Sequence, residues 1–209
     1  MAREMFSPCS FIERSATEAA WKLKRLDLIT ATDVATVGVG GKYYDQLVAT
    51  KARLRPTDDL DWNALVQRGK ELEGDVADWI GDTLAATVSD LGRTTLIVST
   101  VNERFACSLD RYVRWQGGEY IIEIKTTSTR KRKEWINGPP QRVLDQMYWQ
   151  MYITGMRTGV AAVWFCNPNN GTVEGKEYFW VAYDEARVAI LLSLVEVLIS
   201  DIECEIEDA

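Results

Sequence analysis

Ile121-Ile122-Glu123-Ile124-Lys125 is where residue type and spacing bear most directly on chemistry. Side chains of a strand alternate between its faces, so Glu123 and Lys125 share one face and Ile122 and Ile124 take the other. A carboxylate and an ammonium fixed side by side suit metal-dependent hydrolysis of a phosphodiester. The carboxylate holds Mg²⁺, with Mn²⁺ as a substitute, and the ion polarises the scissile phosphate and acidifies a bound water. The lysine orients or deprotonates that water and offsets developing charge. The backbone carbonyl of Ile124 is a further hard ligand for the same ion. The same Glu-x-Lys spacing also suits a solvated salt bridge between strands.

Two more carboxylates qualify for the same locus. Asp110 lies thirteen residues before Glu123, at the start of the preceding strand. A hairpin turning at Gly117-Gly118 returns the chain so that the two meet, and two carboxylates at one place repel unless a divalent cation sits between them. Asp110 also fits a residue that simply opens a strand or a turn. Glu73 borders the buried stripe of a long helix marked by Leu72, Val76 and Trp79. A charge at a core edge needs a partner, and a helix salt bridge to Lys70 or Arg68 is the plainer alternative. Glu71 is expected to face solvent.

Arg130, Lys131, Arg132 and Lys133 follow the Glu-x-Lys strand directly. Lysine and arginine contacts to phosphate dominate nucleic-acid affinity, and this run is expected at the mouth of the site; a solvated loop is the alternative. Trp135 beside it suits either stacking on a base or capping the core, and the core is the preferred reading. Val37-Gly38-Val39-Gly40-Gly41-Lys42 lacks the spacing of a nucleotide-binding phosphate loop and is read as a connection between helices.

The elements that must position these residues are legible in outline. Ser15-Ala16-Thr17-Glu18 is a capping-box pattern opening a helix to about residue 24. A second helix starts at Thr30-Ala31-Thr32-Asp33 and a third spans residues 43–51, before a loop at Arg55-Pro56-Thr57-Asp58-Asp59. Apolar positions Leu65, Leu72, Val76, Trp79, Ile80 and Leu84 recur at helical spacing over residues 61–85. β-branched and aromatic runs at 94–101, 112–115 and 120–127 predict three consecutive strands forming a meander, with Gln116-Gly117-Gly118-Glu119 as a hairpin turn. A helix over 143–154, strands at 160–166 and 177–182, and a last helix capped by Asp184 and running to about 201 complete the order. That order predicts an α/β (α+β) chain with a mixed central sheet flanked by helices, in one domain over residues 1–209.

Composition narrows the chemistry. A chain of 209 residues with net charge −7 carries no wholly basic coat, although a local basic groove remains compatible. There is no histidine, which excludes Ser-His-Asp hydrolysis, histidine-ligated zinc and histidine-based nucleases. Cys9, Cys107, Cys166 and Cys204 are scattered without a C-x-x-C pair, so they are read as reduced thiols. Residues 1–6 show no apolar signal region, and the apolar stretch over 188–199 is too short to span a bilayer. A cytoplasmic protein with no membrane partner is expected.

Five motifs in order resemble the lambda-exonuclease-type (YqaJ-like viral recombinase) branch of the PD-(D/E)XK nuclease superfamily. They read Ile29-Thr30-Ala31-Thr32-Asp33 with Arg25 ahead of it; Arg68-Gly69-x-x-x-Glu73; Ser108-Leu109-Asp110-Arg111; Glu123-Ile124-Lys125; and Gln146-Met147-Tyr148 followed by Ile153-Thr154-Gly155. They fall within residues 15–185. The resemblance implies a restriction-endonuclease-like core. It implies Asp110 and Glu123 as metal ligands, Lys125 as the catalytic lysine, Glu73 completing the acidic site, and Gln146 ordering water or phosphate. Arg25 and Thr32 would touch a DNA phosphate near the site. Leu109 replaces the family's proline and Tyr148 its second glutamine; the scattered cysteines do not suit the iron–sulfur variants. The implied activity is Mg²⁺-dependent 5′ to 3′ digestion of double-stranded DNA from a free end in a bacterial host cell, leaving 3′ overhangs. A single-strand annealing protein is the implied partner and a ring of three the implied assembly. A structure-specific endonuclease, or a non-catalytic DNA-binding protein on the same fold, stands as the alternative.

Overall fold

The computed structural model describes residues 10–56 and 63–209. Residues 1–6, Cys9, the loop residues Thr57, Asp58 and Asp59, the expected helix start at Asp61 and the side chain of Leu65 lie outside the described residues. The elements run β1 (Ser10–Arg14), α1 (Glu18–Leu26), α2 (Ala31–Val37), α3 (Lys42–Lys51), α4 (Ala64–Leu84), β2 (Val88–Ser89), β3 (Thr95–Ser99), β4 (Ala106–Cys107), β5 (Arg111–Trp115) and β6 (Gly118–Ser128). A 3₁₀ turn, Thr129–Trp135, leads to α5 (Gln141–Thr154), β7 (Thr158–Cys166), β8 (Val173–Ala182) and α6 (Glu185–Glu207).

β6 is the middle strand of a mixed five-stranded sheet ordered β2-β5-β6-β7-β8. β6 and β7 pair in parallel and the other neighbours are antiparallel. Parallel neighbours need a crossover rather than a hairpin, and α5 supplies it. β5 and β6 are joined by a two-residue turn, Gln116 at φ 49° and Gly117 at φ 80°. Two positive φ values twist the turn to match the flanking strands. Gly118 is therefore not a turn residue: it pairs with Trp115, and the turn lies one position earlier than the expected Gly117-Gly118.

Alternation along the strands gives the sheet two different faces. Ile122 and Ile124 point to the face covered by α4, where Leu72, Val76 and Ile80 pack against Val160, Ala162 and Trp164. Ile121, Ala161, Val163 and Phe165 point to the face covered by α5 and α6, where Met147, Trp149, Leu191 and Leu198 are buried. Glu123 and Lys125 lie on this second face, as their parity requires. Gly155, at φ 75°, ends α5 in the left-handed conformation, its N–H donating to the Met151 carbonyl.

The meander does not form. β3 belongs to a separate antiparallel sheet ordered β1-β3-β4, all five of its residues buried, while β5 takes β2 as its outer neighbour. A run of β-branched residues marks a strand without naming its partner, and β2 and β4, two residues each, are too short to show any period. The cap of α1 also differs: Thr17, not Ser15, accepts the Ala20 N–H at 3.1 Å. Trp135 is buried as expected, packed edge-on to Phe165. In α6, Val188, Leu191, Val195, Leu198 and Ile202 form one buried stripe. Among the described residues no helix is long and apolar enough to cross a membrane.

Candidate active site

The β5–β6 ladder ends at the pair Arg111↔Ile122, and one step further places Asp110 opposite Glu123. Asp110 Oδ2 accepts the backbone N–H of Ile124 at 2.8 Å, so its side chain takes over where the ladder stops. Glu123 is 0% exposed. Its Oε1 accepts from Lys125 Nζ, and its Oε2 accepts from Gln150 Nε2 at 2.7 Å. Lys125 also donates to Gln146 Oε1 at 3.3 Å. Gln146 and Gln150 stand one turn apart on α5 and thus on one helix face. They form a polar stripe on a helix whose other buried positions include Val143, Met147 and Met151.

Burial raises the Asp110 carboxyl, and the nearby Glu123 charge raises it further, to about 7. Lys125, the Ile124 N–H and Arg111 oppose the rise. Burial pulls the Lys125 ammonium down, and Glu123 and Asp110 more than offset it, so the lysine sits above its ordinary value despite nearby Arg142. The cluster therefore strains toward more positive charge: two carboxylates lean on one lysine.

A cleft of about 220 Å³ opens at this point, lined by Asp110 and Gln146 together with Arg25, Thr32, Glu73 and Arg111. Arg25 Nη2 donates to Thr30 Oγ1 at 3.3 Å and Thr32 Oγ1 at 3.4 Å, and its guanidinium lies 4.5 Å from the Trp21 ring centroid. Asp33 holds the start of α2 by accepting from the Thr30 N–H at 2.7 Å. Buried Lys51 pairs with Asp33 at 2.7 Å and donates to the Leu28 carbonyl at 2.5 Å. Glu73 reaches the cleft from α4, and its Oε1 accepts from Arg111 Nη1 at 2.5 Å. Arg111 also donates to the Asp110 carbonyl at 2.5 Å and lies 3.4 Å from Asp90. Arg68 pairs with Glu71 instead.

The structure thus brings together Arg25, Thr32, Glu73, Asp110, Glu123, Lys125 and Gln146, with the Ile124 backbone between the two principal acids. It does not bring in the basic run: Arg130, Lys131, Arg132 and Lys133 are exposed on the 3₁₀ turn and none lines the cleft. Arg132 is engaged with Glu177 and lies over the Phe165 ring. Tyr148, at the place of the family's second glutamine, is buried in the apolar core. Three contributors escaped the sequence reading. Gln150 was detectable as the next residue on the Gln146 face. Arg111, as partner of Glu73, and Lys51, as partner of Asp33, depend on pairings between distant elements and left no local signal.

The donor set fits a hard divalent cation: two carboxylates and a backbone carbonyl, one negative charge in excess of Lys125, and an open cleft for retained waters. Among the described residues no cluster of three or more carboxylates or thiols stands ready for a metal.

A mixed sheet carrying Asp and Glu-x-Lys at the end of a β-hairpin, flanked by helices, is the restriction-endonuclease-like nuclease core. The YqaJ-like viral recombinase domain matches residues 20–157, and the chain belongs to that family. Its structure is similar to that of an alkaline exonuclease, LHK-Exo, from Laribacter hongkongensis, with 28% identity and a TM-score of 0.73 over 91% of this chain and 95% of that one. The same exonuclease in complex with dAMP matches with a TM-score of 0.74, 28% identity and the same coverage. A phage-related exonuclease from Haemophilus somnus 129PT shares the fold, with a TM-score of 0.61 and 12% identity over 87% of this chain and 94% of that one. A comparison with curated protein sequences finds no match.

Proposed function

We propose that this protein is a Mg²⁺-dependent exonuclease of double-stranded DNA of the phage-recombination type, digesting 5′ to 3′ from a free end and leaving 3′ overhangs. The observation that carries the reading is the convergence of Asp110, Glu123 and Lys125 beside a cleft that also holds Arg25 and Thr32. The 28% identity to an alkaline exonuclease over 91% of the chain supports the same reaction class.

Asp110, Glu123 and the Ile124 carbonyl would hold the cation, which when bound supplies Lewis-acid polarisation of the phosphate and a more acidic water. Lys125, kept cationic by its two acidic neighbours, orients the attacking water and offsets charge growing on the phosphoryl oxygens. Gln146 accepts from the Lys125 ammonium and faces the cleft. Arg25 with Thr32 offers a guanidinium and a hydroxyl to a phosphate entering the cleft. Glu73 holds Arg111 against the Asp110 backbone, which stiffens the loop that carries the acid. In the same reading the 3′ strand passes to a single-strand annealing protein, and the chain works as a ring of three, testable by light scattering.

The test is digestion of linear duplex labelled at one 5′ end, with and without Mg²⁺, beside a covalently closed circle. Early release of the 5′ label, dependence on Mg²⁺ and a spared circle are expected. Cleavage of the circle would make the protein an endonuclease, and cleavage in chelator would remove the metal mechanism.

A further inference from the structure

We propose that Gln150 is a positioning residue of the cation site: its amide grips Glu123 and the backbone at Ser108 together, and so sets the separation of Asp110 and Glu123. The proposal rests on the preceding reading in that these two acids hold a divalent cation.

Gln150 is 1% exposed, and its Nε2 donates to Glu123 Oε2 at 2.7 Å and to the Ser108 carbonyl at 3.2 Å. Both neighbours are acceptors only, so the amide orientation follows from chemistry: turning it over would set oxygen against two oxygens. The consequence is that Gln150 Oε1 is buried with no hydrogen-bond partner among the described residues. The orphaned acceptor carries a desolvation cost that an apolar side chain would not, but an apolar side chain would leave Glu123 Oε2 and the Ser108 carbonyl without this donor. What the amide does provide is geometric. Ser108 precedes Asp110 by two residues, and its hydroxyl donates to the Thr95 carbonyl at 3.0 Å on β3. Gln150 therefore ties the Asp110 segment, already anchored to the small sheet, to the acid of the large sheet. With Lys125 on Oε1 and Gln150 on Oε2, the plane of the Glu123 carboxylate is set from both sides. Gln150 does not line the cleft, whereas Gln146 one turn earlier does. Its effect runs through Glu123, not through contact with DNA.

Outer partners that orient a ligating carboxylate are worth about 10–100-fold in metal affinity or activity. Mn²⁺ binding to the DNA-free protein, read by electron paramagnetic resonance, is the primary test. Gln150→Met keeps the volume and removes both hydrogen bonds. Its Mn²⁺ affinity is expected to fall by about tenfold or more with duplex binding in chelator unchanged, while the loss of a donor to buried Glu123 lowers Tm only modestly. The Mg²⁺ concentration for half-maximal digestion should rise by the same factor, with the maximal rate largely recovered at saturation. Gln150→Asn, one methylene too short to reach both partners, should show the same loss and serves if the Met variant does not fold. Wild-type Mn²⁺ affinity in the variants, or a loss of affinity that only parallels a loss of Tm, overturns the proposal. A wild-type protein that binds no Mn²⁺ sinks the metal reading and this proposal with it. A wild type that binds and digests, matched by both variants, sinks this proposal alone.

Discussion

Two buried carboxylates elsewhere in the molecule each own a cation, while the two at the site share one. Asp33 accepts from Lys51 Nζ at 2.7 Å and from both the N–H and hydroxyl of Thr30. Asp145 accepts from Arg187 Nε at 2.8 Å and Nη2 at 2.7 Å, and from Gln141. Asp110 and Glu123 lean chiefly on Lys125, because the nearby Arg111 guanidinium, which also acts on Asp110, is paired with Glu73. A buried charge without its own partner is expensive, and two like charges in one place are more so. One-for-one pairing holds a fold together; the unpaired surplus at Asp110 and Glu123 is where the proposed divalent cation would sit.

Breaking the site side of this contrast should have the largest effect. Lys125→Ala removes the cation that the two acids share, and digestion of linear duplex is expected to fall about 10²–10⁴-fold. Duplex binding, measured by anisotropy in chelator, should persist. Equal digestion rates would show that the lysine takes no part.

Breaking the structural side should cost stability instead. Lys51→Met leaves Asp33 buried without its cation, and urea unfolding should show a loss of about 3–5 kcal/mol. A loss under about 1 kcal/mol would mean that Thr30 and solvent suffice and that the two kinds of carboxylate are not different.

Asp110→Asn tests the surplus directly. The folded protein raises the Asp110 carboxyl from 3.8 to about 7, so it keeps a proton that the unfolded chain releases. This contribution to metal-free stability is therefore full below pH 3.8 and declines as pH rises to about 7. In chelator, Tm should fall across that window in the wild type, and the Asn variant should lose that part of the slope while losing digestion. Added Mg²⁺ should restore stability at pH 8 in the wild type only.

The smallest effect belongs to the exposed 3₁₀ turn. Replacing Arg130, Lys131 and Lys133 together by Ala should leave stability within about 0.5 kcal/mol. If the run follows DNA away from the cleft, the slope of log affinity against log salt should decrease by about 0.9 for each phosphate that the variant no longer neutralises. An unchanged slope identifies a solvated surface turn.

Much of the site was readable along the chain because its parts are local. Strand alternation alone placed Glu123 and Lys125 together, and the Gln116-Gly117 turn lies near enough to the expected hairpin to bring Asp110 back. Gln150 was missed although it shares a face with Gln146, since spacing says which residues share a face and not what that face meets. β3 was placed in the wrong sheet for the same reason: its residues mark a buried strand, and its partners lie at Ser10–Arg14 and Ala106–Cys107.

The order of residues by itself determined which side chains project together from a strand or a helix, because that depends only on a backbone period of 2 or 3.6. The absence of histidine likewise limited the chemistry before any fold was known. Tertiary structure alone decided which charge meets which: Arg111 to Glu73, Lys51 to Asp33, Gln150 to Glu123. Those pairings join elements far apart in the chain, and they decide whether a buried acid is neutralised or left needing a cation.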